Sequence, residues 1–418
     1  MSQPAVDLSP RQERAMLWCL AAVQFTHIVD FMVMMPLGPQ LTALFHLSDA
    51  QFGLLVSAYS LAAGASGLTA SLFVDRFERR RALTYLYAGF ALATLACGLA
   101  PTYIALMVAR VLAGIFGGVL GSLVQTIVGD AIPYQRRGAA MGTVMSAFSI
   151  STVAGVPGSL WLASHWGWHV PFIAIALASV GVLVGAMSFV PRLDGHVAQT
   201  GQGKSAWQSL RAVITVPKHW LAFGLSGVMM IGSFSIIPYI TIFTTTNLGL
   251  TADQVPIIYL FGGVATLFTS RLWGRLADTW GKVKTYRLLV LLSVVPMMAL
   301  THLTPERVQG HLTLLVTITT AFFVLVSGRM VPGMALLTAT PPNHLRGGFM
   351  SVNNAIMSGA MGAAAWLGGA LISRSPTGQV LNYGHCGWLA LATSALLLWW
   401  VGKLAETTSA SEPAVEAA

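Results

Sequence analysis

Charge is what this sequence has least of. Asp, Glu, Lys and Arg supply 9% of its 418 residues, against roughly 25% in soluble domains, and that excludes a water-soluble globule. Cysteine is nearly absent. Cys19, Cys97 and Cys386 stand far apart, in or beside apolar segments, so neither a disulfide framework nor a metal site is expected. No P-loop or other nucleotide motif occurs, which leaves ATP-driven pumping unsupported. No ring of repeated polar residues is visible, which disfavours a channel. Acidic residues inside apolar stretches are rarest of all: Asp30 is the one that is clearly mid-span.

Hydrophobic length is what the chain has instead. Apolar residues make up 55% of it, in recurring stretches of about 20 residues, each long enough to cross ~30 Å of hydrocarbon. Twelve spans are predicted at 15–41, 50–74, 82–100, 102–128, 138–163, 170–191, 219–246, 253–277, 284–303, 312–338, 347–372 and 386–403. The first continues into a spanning pattern, so a cleavable leader is not expected. The net charge of +9 does not point to nucleic acid, because the basic residues lie in short clusters between spans. Arg76 to Arg81, Arg136–Arg137, Arg192 to Lys218, Arg271 to Arg287 and Arg346 all follow even-numbered spans. By the positive-inside rule both termini are cytoplasmic. Arg307 and Arg374 then fall in outer loops, and Arg110 and Arg329 inside spans.

The longest polar interruption, 193–218, divides the chain into two six-span halves, 1–192 and 219–405, followed by a disordered tail at 406–418. The halves echo each other. "FVDRFERRRAL" after span 2 returns as "LADTWGKVKTY" after span 8, with Asp75 and Asp278 203 residues apart, and "RRGAAMGTV" (136–144) returns as "LRGGFMSVN" (345–353). Duplicated halves of this kind are the architecture of alternating-access secondary transporters.

These motifs carry a family resemblance. D-R-x-x-R-R-R after span 2, with its weaker copy after span 8, resembles the conserved loop motif of the major facilitator superfamily. "RVLAGIFGG" (110–118) and "AGVPGSLWLASHWGWHVPF" (154–172) resemble two motifs of its drug/proton antiporter group, the G-V-P form being nearer the arabinose-efflux and chloramphenicol-resistance-like branch. Two positions depart from the loop motif, with Ser71 and Glu78 where the family carries glycine. In the antiporter motif Val156 precedes Pro157 and no glycine pair follows. The implied fold is an all-α membrane protein of twelve helices in two six-helix halves. The resemblance also implies a cytoplasmic gate in which Asp75 caps the start of span 11 and Arg79 meets Asp130; Asp278 is the matching acid of the second half.

The residues themselves nominate a central pair. Gly114, Gly117, Gly118 and Gly121 fall at i+4, i+7, i+8 and i+11 from Arg110 and share its helical face. A glycine stripe admits a neighbouring helix closely, so that face points into the bundle. Asp30 lies roughly 22 Å along span 1 at helical rise, and Arg110 reaches a similar depth from the opposite direction. Intramembrane charges pair by default, and the family resemblance, which couples an acid of the first helix to this motif arginine, points the same way. Such a pair is either a fixed bridge or a protonation switch, because burial raises a carboxylate's pKa and a nearby arginine lowers it. His27, one turn from Asp30, is either a proton relay or a hydrogen-bonded bundle histidine.

Arg329 has no acid at its depth in the second half. It either faces a water-filled cavity and holds an anionic or polar substrate group, or it hydrogen-bonds carbonyls loosened around Pro332. The substrate-binding residues expected are Asp30, Met34, Arg110, Gln125, Tyr239, Arg329, Asn354 and Met357, with span 7 bent at Pro238 beside Tyr239. "GASG" (64–67) resembles the serine motif of rhomboid-type intramembrane proteases. His27 is the one histidine well inside a span, and duplicated halves do not suit that family, so small-residue packing explains the string better.

The expectation is a non-enzymatic, cofactor-free monomer in a bacterial cytoplasmic (inner) membrane. It exports small amphipathic or sugar-like compounds against protons, its partners being substrate, protons and the lipid bilayer, with no nucleic acid. The alternative is a proton-independent facilitator, or a proton symporter that takes up a small polar or anionic metabolite.

Overall fold

Helices dominate the computed structural model, which describes residues 8–70, 77–133, 136–193, 206–308, 311–342 and 345–409. Asp75 lies outside them, so the expected cap on span 11 does too. Ten helical stretches among the described residues are long and apolar enough to cross a membrane. Two further helices complete twelve spans by length: α4 (Arg79–Gly98), which opens on three arginines, and α17 (Arg346–Leu371), diluted by Gly, Ser and Asn. At 1.5 Å per residue the two are roughly 30 and 39 Å long.

Several spans are interrupted, and in each the sequence supplies the cause. Span 1 is α1 (Pro10–Val33) and α2 (Gly38–Leu44), broken around Pro36; its start is set by Ser9, which forms a capping box with Gln12. Span 5 joins α6 (Arg137–Ile150) to α7 (Val156–Trp166) through a π-turn at Ser151–Gly155, just before Pro157. Span 7 joins α10 (Pro217–Phe234) to α11 (Ile240–Thr246) through a 3-10 turn at Ile237–Tyr239. Span 10 joins α15 (Leu312–Gly328) to α16 (Met330–Ala339) at Arg329, three residues before Pro332. Proline lacks the N–H that would bond the carbonyl four residues back, so loosened carbonyls need other donors in a membrane. In the 3-10 turn the Ile236 carbonyl accepts both the Tyr239 N–H and the Tyr383 hydroxyl, each at 3.0 Å.

The uninterrupted spans are α3 (Asp49–Ala70), α4, α5 (Tyr103–Ala131), α8 (His169–Phe189), α12 (Val255–Trp280), α13 (Lys282–Thr301), α17 and α18 (Tyr383–Ser409); α9 (Ala206–Ile214) and α14 (Pro305–Val308) lie between spans. Glu78, which stands where the family pattern carries glycine, caps α4 by accepting from the Arg80 and Arg81 N–H groups. It also accepts from the Leu193 N–H at 3.1 Å. A two-residue hairpin, β1 (Ser373–Arg374) with β2 (Val380–Leu381), connects α17 to α18.

Helix contacts sort the molecule into two groups. α1, α3, α4, α5, α6 and α8 pack among themselves, as do α10, α12, α13, α15, α17 and α18. The groups meet along α3 with α17 and along α12 with the π-turn and α7. The first seam is lined by small residues: Gly53 and Gly64 of α3 lie against the carbonyls of Ala365 and Ala355, and Gly362 of α17 lies against Leu61. Removing side chains there lets the two backbones approach.

Candidate functional site: a buried ion pair behind a methionine and aromatic cavity

Asp30 and Arg110 form an ion pair inside the first group, Nη1 to Oδ2 at 3.0 Å, with side chains 0% and 1% exposed. Arg110 Nη1 also donates to the Asp30 carbonyl at 3.3 Å. The glycine face of α5 brings the pair together. Gly114 abuts the Tyr59 carbonyl and Ala62, Gly118 abuts Ala63, and Gly117 abuts the Tyr59 hydroxyl and His27. This close approach lays the Tyr59 ring 4.4 Å from the guanidinium carbon, a cation–π contact. Tyr59 carries no mark in the sequence beyond its place on a span facing the glycine stripe. Oδ1 of Asp30 and Nε of Arg110 have no hydrogen-bond partner among the described residues. Arg110 Nη1 therefore bridges the carboxylate and the backbone carbonyl of Asp30.

A cavity of about 330 Å³ lies between the two groups, walled by Met32, Met230, Met361, Phe31, Phe234 and Phe323 among others. Among the described residues no acidic side chain lines it. His27 and Phe31 reach the wall from α1, and Asp30 sits behind them. His27 leaves Nδ1 without a partner among the described residues, with its ring centroid 6.4 Å from that of Tyr59. Phe31 packs on Tyr59 at 5.3 Å. Phe31 and Tyr59 thus stand in sequence between the cavity and Arg110.

Of the eight residues expected to meet substrate, Met357 lines the cavity and the others do not. Met34 is fully buried in the apolar core. Gln125 and Asn354 are exposed. Asn353, one residue and about 100° of helical rotation away, points inward and accepts the Ser226 hydroxyl at 2.7 Å. Tyr239 is buried at the end of the bundle opposite the chain termini, its hydroxyl donating to the Ala365 carbonyl at 2.5 Å. Arg329 is not open to a water-filled cavity. It is 0% exposed, and Nη2 donates to Ser233 Oγ at 2.6 Å and to the Met229 carbonyl at 3.3 Å. The break in span 10 puts it there by turning the backbone at Arg329.

The residues expected to gate divide as well. Arg79 Nε meets Asp130 Oδ2 at 3.0 Å, as expected, joining α4 to α5. Asp278, near the end of α12, is exposed. A cross-group ion pair lies instead at the far end, where Arg374 of the hairpin grips Asp49 at the start of α3 with two bonds of 2.8 and 2.7 Å. Asn247 fastens the hairpin to α11 through the backbone N–H and carbonyl of Val380, both at 2.8 Å, and Ile242 packs on Gly38. Nothing local in sequence marks Asp49 and Arg374 as partners, since 325 positions separate them.

The Major Facilitator Superfamily profile matches residues 20–365 and, in a second match, 222–417. Inner membrane transport protein YdhP of Escherichia coli (strain K12) is 26% identical over 326 residues, covering 77% of this chain and 79% of that one. Multidrug resistance protein 2 of Bacillus subtilis (strain 168) is 24% identical over 360 residues, covering 84% and 87%. Among solved structures, the nucleoside transporter NupG superposes with a TM-score of 0.75 at 11% identity, covering 94% of this chain and 99% of that one. A D-xylose-proton symporter gives 0.73 at 18% identity, covering 95% and 98%. At such identities these two likenesses establish the fold alone. The length of the profile match, the two packed groups of membrane-length helices and the cavity between them agree: the chain is a multi-pass membrane transport protein belonging to the major facilitator superfamily.

Proposed function

We propose that the chain exports small amphipathic compounds in exchange for protons, as a monomer in a bacterial inner membrane with both termini cytoplasmic. Halves 1–192 and 219–405 rock about the 193–218 linker. On this reading the far end faces outward, and the Arg374–Asp49 grip holds it shut. One observation carries the coupling. A fully buried carboxylate, Asp30, is paired with Arg110 behind the aromatic wall of the cavity. Separation of Arg110 from Asp30 in the opposite state removes the cation that favours the ionised carboxylate, so Asp30 takes up a proton; re-formation of the pair expels it. His27, at the wall beside Asp30, is placed to pass that proton.

The wall favours an amphipathic cargo over a sugar-like one. Methionine and phenylalanine adapt to varied apolar shapes, whereas each sugar hydroxyl left unpaired there costs about 1–3 kcal/mol. The names of the two curated relatives, an inner membrane transport protein and a multidrug resistance protein, accord with this reading. The test is transport in proteoliposomes with and without a pH gradient. Wild-type chain is expected to move amphipathic substrate uphill only with the gradient, and Asp30→Asn only downhill. Gradient-dependent uphill export that survives Asp30→Asn would sink the coupling, and counterflow indifferent to pH in the wild type would make the chain a facilitator.

A further inference from the structure

A second buried arginine has no counter-charge. Arg329 is wholly enclosed, and its Nε and Nη1 meet no acceptor among the described residues. The hydroxyl of Tyr286 is likewise without a partner. Its ring lies beside Gly333, one turn beyond Arg329. No described carboxylate pairs with this guanidinium, in contrast to Arg110, which has Asp30. An intramembrane arginine is costly, and Arg329 has only two neutral acceptors among the described residues to offset that.

The cavity adjoins this cation. Val326, Ser327 and Met330, on either side of Arg329, all line its wall, as does Ser233, to which Arg329 Nη2 donates. Ser233 thus stands between the two, bonded to the guanidinium and lining the cavity wall. The span is also broken at this point, with the ten-residue α16 starting at Met330.

We infer that Arg329 holds the anionic group of the transported compound, which makes the cargo an amphipathic organic anion: an apolar, aromatic-sized body against Met230, Phe234 and Phe323, and a carboxylate or sulfonate on Nε and Nη1. The planar fork of arginine suits such a group with two parallel bonds. Ser233 and the Tyr286 hydroxyl supply further polar contacts. The inference rests on the export reading for its direction of transport, but the binding preference does not depend on that reading.

The experiment uses the full chain purified in detergent, with naphthalene-2-carboxylate and its neutral counterpart naphthalene-2-carboxamide as probes, each titrated calorimetrically. The carboxylate is expected to bind about tenfold tighter or more. Arg329→Gln is expected to erase that difference while leaving the carboxamide affinity in place, and Arg329→Lys to restore part of it. Should Arg329→Gln fail to fold, Ser327→Cys in a background without native cysteines retains the arginine and reports on the same wall; the carboxylate, but not the carboxamide, is expected to slow its alkylation. Equal affinities in the wild type, equal protection of the cysteine, or a preference for the carboxylate that persists in Arg329→Gln would each overturn the assignment. None of these measurements involves a pH gradient, so loss of proton coupling and loss of anion recognition are separately visible.

Discussion

Asp30 and Arg110 stabilise each other in a place where neither is tolerable alone. Transfer of both charges out of water is costly, and their mutual attraction recovers the cost only while the contact lasts. Arg110→Ala should therefore destabilise the fold by about 3–5 kcal/mol, the range for breaking a buried pair by removing one partner, read as a fall in the thermal unfolding midpoint in detergent. The double variant Asp30→Asn, Arg110→Gln removes both charges and should recover most of that loss. If the double variant is as unstable as Arg110→Ala, the loss comes from packing on Tyr59 rather than from the stranded carboxylate. Arg329 reverses the prediction. Its charge has no partner to strand, so Arg329→Gln should leave the midpoint unchanged or raise it in the absence of an anion.

Among the elements, the hairpin between α17 and α18 does the most with the fewest residues. Arg374 reaches across the groups to a carboxylate 2% exposed, and Asp49 is favoured in its own right in the first turn of α3, where the helix dipole is positive. Either Asp49→Asn or Arg374→Gln should loosen the far end. The reporter is Ile242→Cys in a background without native cysteines, since Ile242 packs across the seam on Gly38. Its labelling by an impermeant maleimide, applied from the side that the far end faces, should rise several-fold. The exchanged pair Asp49→Arg with Arg374→Asp should lower it again. Unchanged labelling in all three would mean that apolar packing alone closes this end.

For the molecule as a whole, closure at the far end depends on absent side chains as much as on present ones. Gly53 lies against the Tyr239 hydroxyl and the Ala365 carbonyl, and Gly369 lies against Asp49, so the two groups touch backbone to backbone. Gly53→Val places atoms where the partner helix now stands and should hold the far end apart. The expected result is abundant, folded protein with the Ile242→Cys site labelled even while Arg374 and Asp49 are intact, and with transport lost. Wild-type labelling in that variant would show that the α3–α17 seam yields without opening.

Much of this protein was legible in the chain. Hydrophobic length gave the spans, because an apolar run of ~20 residues has one stable fate in a bilayer. The echoes between halves pointed to duplication, and the glycine stripe beside Arg110 pointed to a packed inward face. Those are local signals, written in spacing along one helix. The cavity wall was not legible: a single residue of helical phase separates exposed Asn354 from buried Asn353, and span boundaries read from hydropathy are looser than that. Partnerships between distant segments were equally hidden, since Asp49 with Arg374, Tyr59 beneath Arg110 and Ser233 on Arg329 are settled by how helices meet. Hydrophobic runs with charges inside them were enough to bury those charges in a membrane bundle. Which charge finds a counter-charge is set by how the helices pack, because pairing depends on distances of a few ångströms between helices that spacing along the chain does not set.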